Sequence, residues 1–382
     1  MEFFHFELKR FLKSPKNKIC LILLAVIFLG LFAFYQTTIN KQSFDSNLAF
    51  IREQLQQSKQ SVKNLQDQVK LNPDDQVRSQ QLSQEQEKEK LLSEELAALE
   101  KKDLEKVSQL EYQSLLAQLD TMTDKNSDSY KNLRASIRYR EAVKAVGGTP
   151  SLTLNNTSEA AFSIGHIMTG WLSSTTIFVL ITVLIADSLS REIESSQIRF
   201  YQLLGGRKLK HLLIKLLVPI LVTFLTTLLL FTTLYVAKGL LDSFGTWSYP
   251  YLLGRTIVPI WQISLQTIIL FLVALIFLAS LGQFLALIFK KSLVVIGLVI
   301  VFLTGFLTLA QEEWFQPFKQ FFPFEYLGYG QILNDASILP KNAFLIGIIY
   351  LLTLSLIFTL VSYRLYKNFY YRKEGKHDRI KD

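Results

Sequence analysis

Cysteine is nearly absent: Cys20 is the only one in 382 residues. A single thiol can form neither an internal disulfide nor a cysteine metal site. Cys20 opens an apolar run and reads as a small apolar core residue. Histidine is almost as sparse. His5, His166, His211 and His377 fall on different segments, which argues against a histidine metal centre. There is no Gly-x-x-x-x-Gly-Lys-Ser/Thr loop to cradle a nucleotide, no His-Glu-x-x-His and no Gly-x-Ser-x-Gly. The sequence therefore offers no catalytic residue, no cofactor-binding residue and no metal ligand. Ionisable residues are also scarce inside the long apolar runs; Asp187 stands at the edge of one. Transporters driven by ion gradients bind the coupling ion with carboxylates or imidazoles inside the membrane, and many cation channels use acidic rings. The scarcity argues against both classes.

What the chain does have is hydrophobic length. It is 49% hydrophobic and 13% aromatic, with the apolar residues in blocks. Six runs are long enough to cross a bilayer, at about residues 19–39, 164–186, 212–236, 257–289, 293–310 and 343–363. The fourth exceeds what a bilayer needs, so tilt, a kink or a break is expected there. Bases gather at one set of span ends: Lys16 and Lys18, residues 191–215, Lys290 and Lys291, and Arg364 onward. That distribution puts both termini in the cytoplasm. It also accounts for the net charge of +9 without nucleic acid, the bases meeting anionic lipid heads. An all-α, multi-pass protein of a bacterial plasma membrane is expected. Residues 1–18 carry Phe3, Phe4, Phe6, Leu8, Phe11 and Leu12 among Lys and Glu, the pattern of an interfacial helix that Ser14-Pro15 ends. The first span lacks a small-residue cleavage site after it and reads as an uncleaved anchor.

Residues 40–165 are polar and nearly charge-balanced. Phe44, Leu48, Ile51, Leu55, Val62, Leu65 and Val69 recur as a heptad seam that Ser58 interrupts. A turn at residues 71–75 leads to nearly continuous helical sequence over 76–120, on the order of 60 Å if unbroken. A second turn and a shorter helix ending at Gly147-Gly148 follow. The expectation is an extracellular coiled-coil or helical hairpin, either an arm that docks an extracellular protein or a spacer packed on a dimer mate. Trp247, Tyr249 and Tyr251 are expected at interface depth on an external loop. The outer segment 311–341 holds Trp314, Phe315, Phe318, Phe322 and Tyr326 among further aromatics, cut by Pro317 and Pro323. So many aromatics would form a large exposed patch in water. Short helices re-entering the outer leaflet are favoured over a simple aromatic belt.

The segment between the second and third runs, 188–212, is charged and amphipathic. Leu189, Ile193, Ile198, Tyr201, Leu203 and Leu204 supply an apolar side, and Glu192, Glu194, Gln197 and Arg199 a polar one. Gly205-Gly206 breaks it, and Arg207, Lys208, Lys210 and Lys215 lead into the third run. It can be an ordinary inside loop, or a short helix that passes a push from a cytosolic partner into the membrane.

Taken together, the chain resembles the permease subunit of ATP-binding cassette (ABC) transporters of the type 2 exporter class. The N-terminal helix from Phe3 to Leu12, the six-span order and the outer segment from Trp314 to Leu327 carry the likeness. So does the inner segment, with acidic Glu192 and Glu194, the apolar stretch Ile198 to Leu204, the base Arg207 and Lys215 at the third span. The sequence departs at Ser196-Gln197, where the family tends to have Gly-Thr, at Gly205-Gly206, where it tends to have Pro, and in the insertion of residues 40–165. The resemblance covers 1–39 and 164–382. It implies a homo- or heterodimer of permeases, separate ABC ATPase subunits that use ATP-Mg, and no cofactor on this chain. Glu192, Glu194, Arg199 and Arg207 would contact or brace the ATPase, with Ile198, Tyr201 and Leu204 packing the coupling helix on the spans. An apolar, Thr- and Phe-rich bundle suits a hydrophobic or amphipathic cargo moved outward. Two other classes stay open: an ATPase-driven signal transmitter acting through the coil, and a non-energised immunity or scaffold protein. Three parts are expected: 1–39, 40–165 and 166–382.

Overall fold

The computed structural model describes residues 2–72, 75–122, 124–148, 159–197, 208–309, 312–336 and 338–377, and it is mostly helical. Two compact units emerge. The first is built from Met1–Leu29, Ile167–Thr233 and Ile263–Asp382, the second from Gly30–His166 and Leu234–Gln262.

The first unit begins with helix α1 (Glu2–Lys13). It buries Phe11 and Glu7 and exposes Phe6 and Leu12. Water would disfavour such a face; the headgroup–acyl boundary accepts it. The chain turns at Ser14, as expected. Helix α2 (Pro15–Phe34) follows, with Pro15 at its first position, where the missing N–H is not needed. It hides Leu24 and Phe28 on one stripe and exposes Ile19, Ile22 and Val26 on another. Phe28 meets Trp171 and Phe231 edge-on.

The second expected span is not one helix. Helix α7 (Ala160–Trp171) and helix α8 (Thr175–Ile185) meet at a 69° bend. The run Ser173-Ser174-Thr175 offers hydroxyls that compete with helical backbone bonding. Ser173 Oγ donates to the Thr169 carbonyl at 2.8 Å and accepts from the Gly330 N–H at 2.7 Å. Glycine is required opposite. A Cβ on Gly328 would lie 2.5 Å from Ser173 Cα, and one on Gly330 2.7 Å from the Thr169 oxygen. The break is thus a packed joint.

Helix α9 (Ser190–Glu194) and the long helix α10 (Lys208–Leu241), with Pro219 inside it, come next. Helix α11 (Ile260–Phe289) runs without the break allowed for at the fourth span, and it is the most buried of the spanning helices. Helix α12 (Ser292–Leu309) corresponds to the fifth span. Its 18 residues reach about 27 Å. Helices α13 (Tyr329–Asn334) and α14 (Ala343–His377) complete the unit. By length and composition four helices can cross a membrane, or up to five if α7 and α8 count as one span; α12 is a shorter apolar helix.

In the second unit α2 passes through a π-helical turn (Tyr35–Ile39) directly into helix α3 (Asn40–Leu71). Buried Lys238 donates to Gln36 in that turn at 3.1 Å and pairs with Asp242. Helix α3 packs antiparallel on helix α4 (Gln76–Glu100). The polar interruption of the seam has a partner, since Ser58 Oγ donates to Glu85 Oε1 at 2.9 Å. The near-continuous helix expected over 76–120 is corrected. It ends at Glu100 and restarts as helix α5 (Leu104–Thr121). Lys102 takes φ +57°, and Asp103 caps the new helix by accepting from the Lys106 N–H at 3.1 Å. The fold-back lets Val107 and Leu110 join Ala98 and Leu99 in a core flanked by Phe44, Leu48, Ile51 and Leu91. A compact core replaces a 60 Å rod. Helix α6 (Asp128–Ala145) lies antiparallel to α5, with Arg140 paired to Glu111. It is tied to a hairpin of strands β1 (Pro250–Leu253) and β2 (Thr256–Pro259) through Arg255, which donates to Asn132 at 2.8 Å and Asp128 at 2.5 Å. Tyr249 is fully buried against Phe162 and Gly148.

Two outcomes are expected. Gly328→Val will cost on the order of 1–3 kcal/mol or more of overpacking, read as a lower melting temperature in detergent. Gly297→Ala, facing open space, will not. Burial, reinforced by the Glu111 carboxylate and opposed by Arg140, pushes Glu95 up to about 7. The folded state therefore holds a proton that the unfolded state releases first, and stability falls as pH rises from the usual carboxylate range through about 7. Glu95→Gln should raise the melting temperature at pH 8 and leave it nearly unchanged at pH 4.

Candidate functional site

Charges that the sequence scatters over more than two hundred positions meet at one end of the first unit. Glu192 lies on α9 and is 1% exposed. A carboxylate cannot stay ionised there without cations beside it. Two reach it: Lys215 from the second turn of α10 and Arg10 from α1. Lys215, also buried, bonds Glu7 of α1 as well, and Glu7 lies 3.7 Å from Arg10. Glu7, Glu192, Lys215 and Arg10 sum to zero charge and join three elements. His211, one turn before Lys215, comes within 3.8 Å of Glu192. Its Nδ1 and the Tyr366 hydroxyl of α14 share a hydrogen bond of 3.0 Å.

A second set stands beside the first. Lys16, at the start of α2, pairs with buried Asp187 at 2.5 Å and donates to the Val183 carbonyl at 2.7 Å, capping the end of α8. Asp187 also accepts from Ser292 Oγ at 2.8 Å, and Glu194 accepts from the Ser292 N–H at 3.2 Å. Both carboxylates therefore sit at the N-terminus of α12, where the helix dipole favours negative charge. Gln283 of α11 donates to the Leu212 carbonyl at 2.9 Å. A Cβ on Gly282 would fall 2.7 Å from the Ala186 backbone, so α11 touches the end of α8 directly. Asp187 and α9 are thus bolted to α1, α2, α10 and α12. Ser196, just past α9, takes φ +58°, a conformation glycine adopts far more easily. This is one of the two positions where the resembled family tends to have Gly-Thr.

Of the coupling residues read from sequence, Glu192 is internal and Glu194 exposed. Ile198, Arg199, Tyr201, Leu204 and Arg207 lie outside the described residues. Glu7, Arg10, Lys16, Asp187 and His211 were not singled out as site residues. A faint signal existed: Asp187 is an acid at a span edge, and Lys16 a base at another.

The aromatic segment expected outside forms two short 3-10 helices, Glu313–Phe321 and Pro323–Tyr326. Phe315 and Tyr326 point inward, Phe322 is half-buried, and Trp314, Phe318 and Phe321 are exposed. Phe315 packs on Phe322 at 4.8 Å, and the Tyr326 hydroxyl donates to the Gln320 carbonyl at 2.8 Å. Beneath them Lys319 and Glu325 are buried, with Lys319 3.5 Å from Asp335 and Glu325 accepting from Gln331 at 3.2 Å.

Lys215→Met should cost about 3–5 kcal/mol, because Glu7 and Glu192 lose the cation they share in a buried place; chemical unfolding of the purified chain reads this directly. Ser196→Gly relieves a left-handed residue and should gain about 0.5–1 kcal/mol net of glycine's greater chain entropy.

No curated protein and no solved structure matches the chain. A family described as ABC-2 family transporter protein matches residues 18–364. That range takes in both ion clusters except α1 and Lys16, the helical insertion and the outer aromatic segment. A chain of apolar helices, bolted at one end to a short charged segment, is what such a membrane component requires, and the chain belongs to the ABC-2 transporter family.

Proposed function

We propose that the chain is the membrane-spanning permease of an ABC exporter, moving a hydrophobic or amphipathic cargo outward on the power of a separate ATPase. Permeases of this family normally pair with an ABC ATPase subunit. The observation that carries the reading is the buried ionic joint at Glu192. A segment that only linked two spans would need no such joint; one that must transmit force does. Glu192 is a brace within the chain. The ATPase would meet the exposed side, Glu194 and Gln197, together with residues 198–207.

In this reading six spans leave both termini inside, with α7–α8 as a broken second span and α12 as the fifth. The helical insertion lies outside. Two permeases, alike or different, form the pathway, ATP-Mg stays on the partner, and the aromatic segment re-enters the outer leaflet. ATP-driven closure of the ATPases would move α9 and, through Lys215 and Asp187, α10 and α12 with it. This is a bistable element biased by nucleotide.

The compact core of the insertion favours a second reading, a transmitter that acts on an extracellular protein. Removing residues 44–146 separates the two: export should persist at a reduced level, whereas a transmitter loses all function. For the first reading, the decisive assay is co-purification in mild detergent with ATP hydrolysis measured. An ATPase should accompany the wild type and Glu194→Gln, and be lost or uncoupled in Glu194→Arg. Failure of any ATPase to associate would defeat the export reading.

A further inference from the structure

The two short helices of the aromatic segment and the end of α13 bring three ionisable groups together. Lys319 is 6% exposed and Glu325 3%. Asp335, just past α13 and partly buried, lies 3.5 Å from Lys319. The Glu325 and Asp335 carboxyls are within hydrogen-bond reach of each other, and Glu325 also accepts from the Gln331 amide at 3.2 Å. Two carboxylates cannot hydrogen-bond each other unless one of them holds a proton. The charge balance gives the same answer. One lysine offsets one carboxylate, so this buried cluster is neutral only when the pair carries a proton. Asp335 stands beside the lysine and is the less buried, so it keeps the charge and Glu325 the proton.

We propose that residues 313–335 are latched by one proton shared between Glu325 and Asp335, and that the latch loosens as pH rises. Burial pushes the Glu325 carboxyl above the usual carboxylate range; Lys319 opposes the rise and Asp335 adds to it. A group raised in this way stabilises below its ordinary range, and the stabilisation is lost as pH climbs through the raised value. Lys319 and Asp335 are the charged groups that act on Glu325 among the described residues. Tyr326 and Tyr350 pack beside it as uncharged hydroxyls that donate to the Gln320 and Phe321 carbonyls. Ser173, Thr175 and Leu303, which also border it, do not titrate. Once the proton is gone, two carboxylates share one buried lysine. Hydration relieves this, and it requires Pro323–Tyr326 to move outward. The latch does not depend on the exporter reading.

The test is hydrogen–deuterium exchange of the full chain in detergent, read over residues 313–335. Wild type and Glu325→Gln are compared at one pH at a time, so that intrinsic exchange rates cancel. At pH 5 the two should exchange alike, because the amide replaces a protonated carboxyl. At pH 8 wild type should exchange faster, its opening equilibrium shifting about tenfold per pH unit across the range in which the proton is lost. Asp335→Asn should remove the pH response as well. Lys319→Met should move the response to higher pH, since the pair loses the cation that favours ionisation; a merely structural lysine would not shift it. Glu95→Gln, in the helical insertion, should leave the response unchanged. The proposal is overturned if wild type and Glu325→Gln exchange alike at both pH values. It is also overturned if Glu325→Gln exchanges faster than wild type at both, which would make Glu325 a standing anion paired with Lys319. A response abolished by Glu95→Gln would assign it to the insertion instead.

Discussion

A buried carboxylate must have its cation, and in this chain that requirement organises one end of the membrane unit. Glu192 cannot remain charged inside protein alone. Lys215 and Arg10 meet it, and Lys215 needs Glu7 in turn. Four charges that cancel in pairs bring together an interfacial helix, a five-residue helix and the base of a spanning helix. Buried ion pairs add little net stability over a well-packed apolar core, but removing one member is costly. What they provide is placement. Lys16, Asp187 and Ser292 repeat the device for α2 and α12. Helix α9 therefore has few ways to move without taking the long helices along.

The region around Ser173 is governed by shape instead. Gly328 and Gly330 let their backbone approach Ser173, at the break between α7 and α8, more closely than any side chain permits. The aromatic segment is divided into inward Phe315 and Tyr326 and outward Trp314, Phe318 and Phe321. Charge holds one part of the unit and close packing another.

Much of this was legible in the sequence. Helix α1, its stop at Ser14-Pro15, the short helices of the aromatic segment and the helical, polar insertion all follow from composition and spacing. The heptad seam was visible, and so was its flaw at Ser58, although not the Glu85 that satisfies it. The ionic joint was hidden because its partners are far apart: Glu7 and Lys215 are separated by 208 positions. Local periodicity carries no trace of such pairing. The break at residues 172–174 was missed because Ser and Thr are ordinary in spanning helices, and their effect depends on the glycines packed opposite. The turn at residues 101–103 did have a sign, Asp103 as a helix cap, but it was outweighed by helix-favouring neighbours. Ser196 shows the reverse case. The sequence departs from the family's glycine at this position, yet the backbone keeps a glycine-like conformation there.

The central claim is that α1 and the inner segment move as one body when nucleotide acts from below. The most direct measurement joins Ser14→Cys to Arg191→Cys with a short bifunctional thiol linker, in a Cys20→Ser background, and follows ATP turnover of the permease with its ATPase. If the two elements travel together, the linked protein keeps the turnover of the unlinked one. If linking stops turnover and reduction restores it, the elements must separate during the cycle, and the ionic joint is not the rigid connection described here.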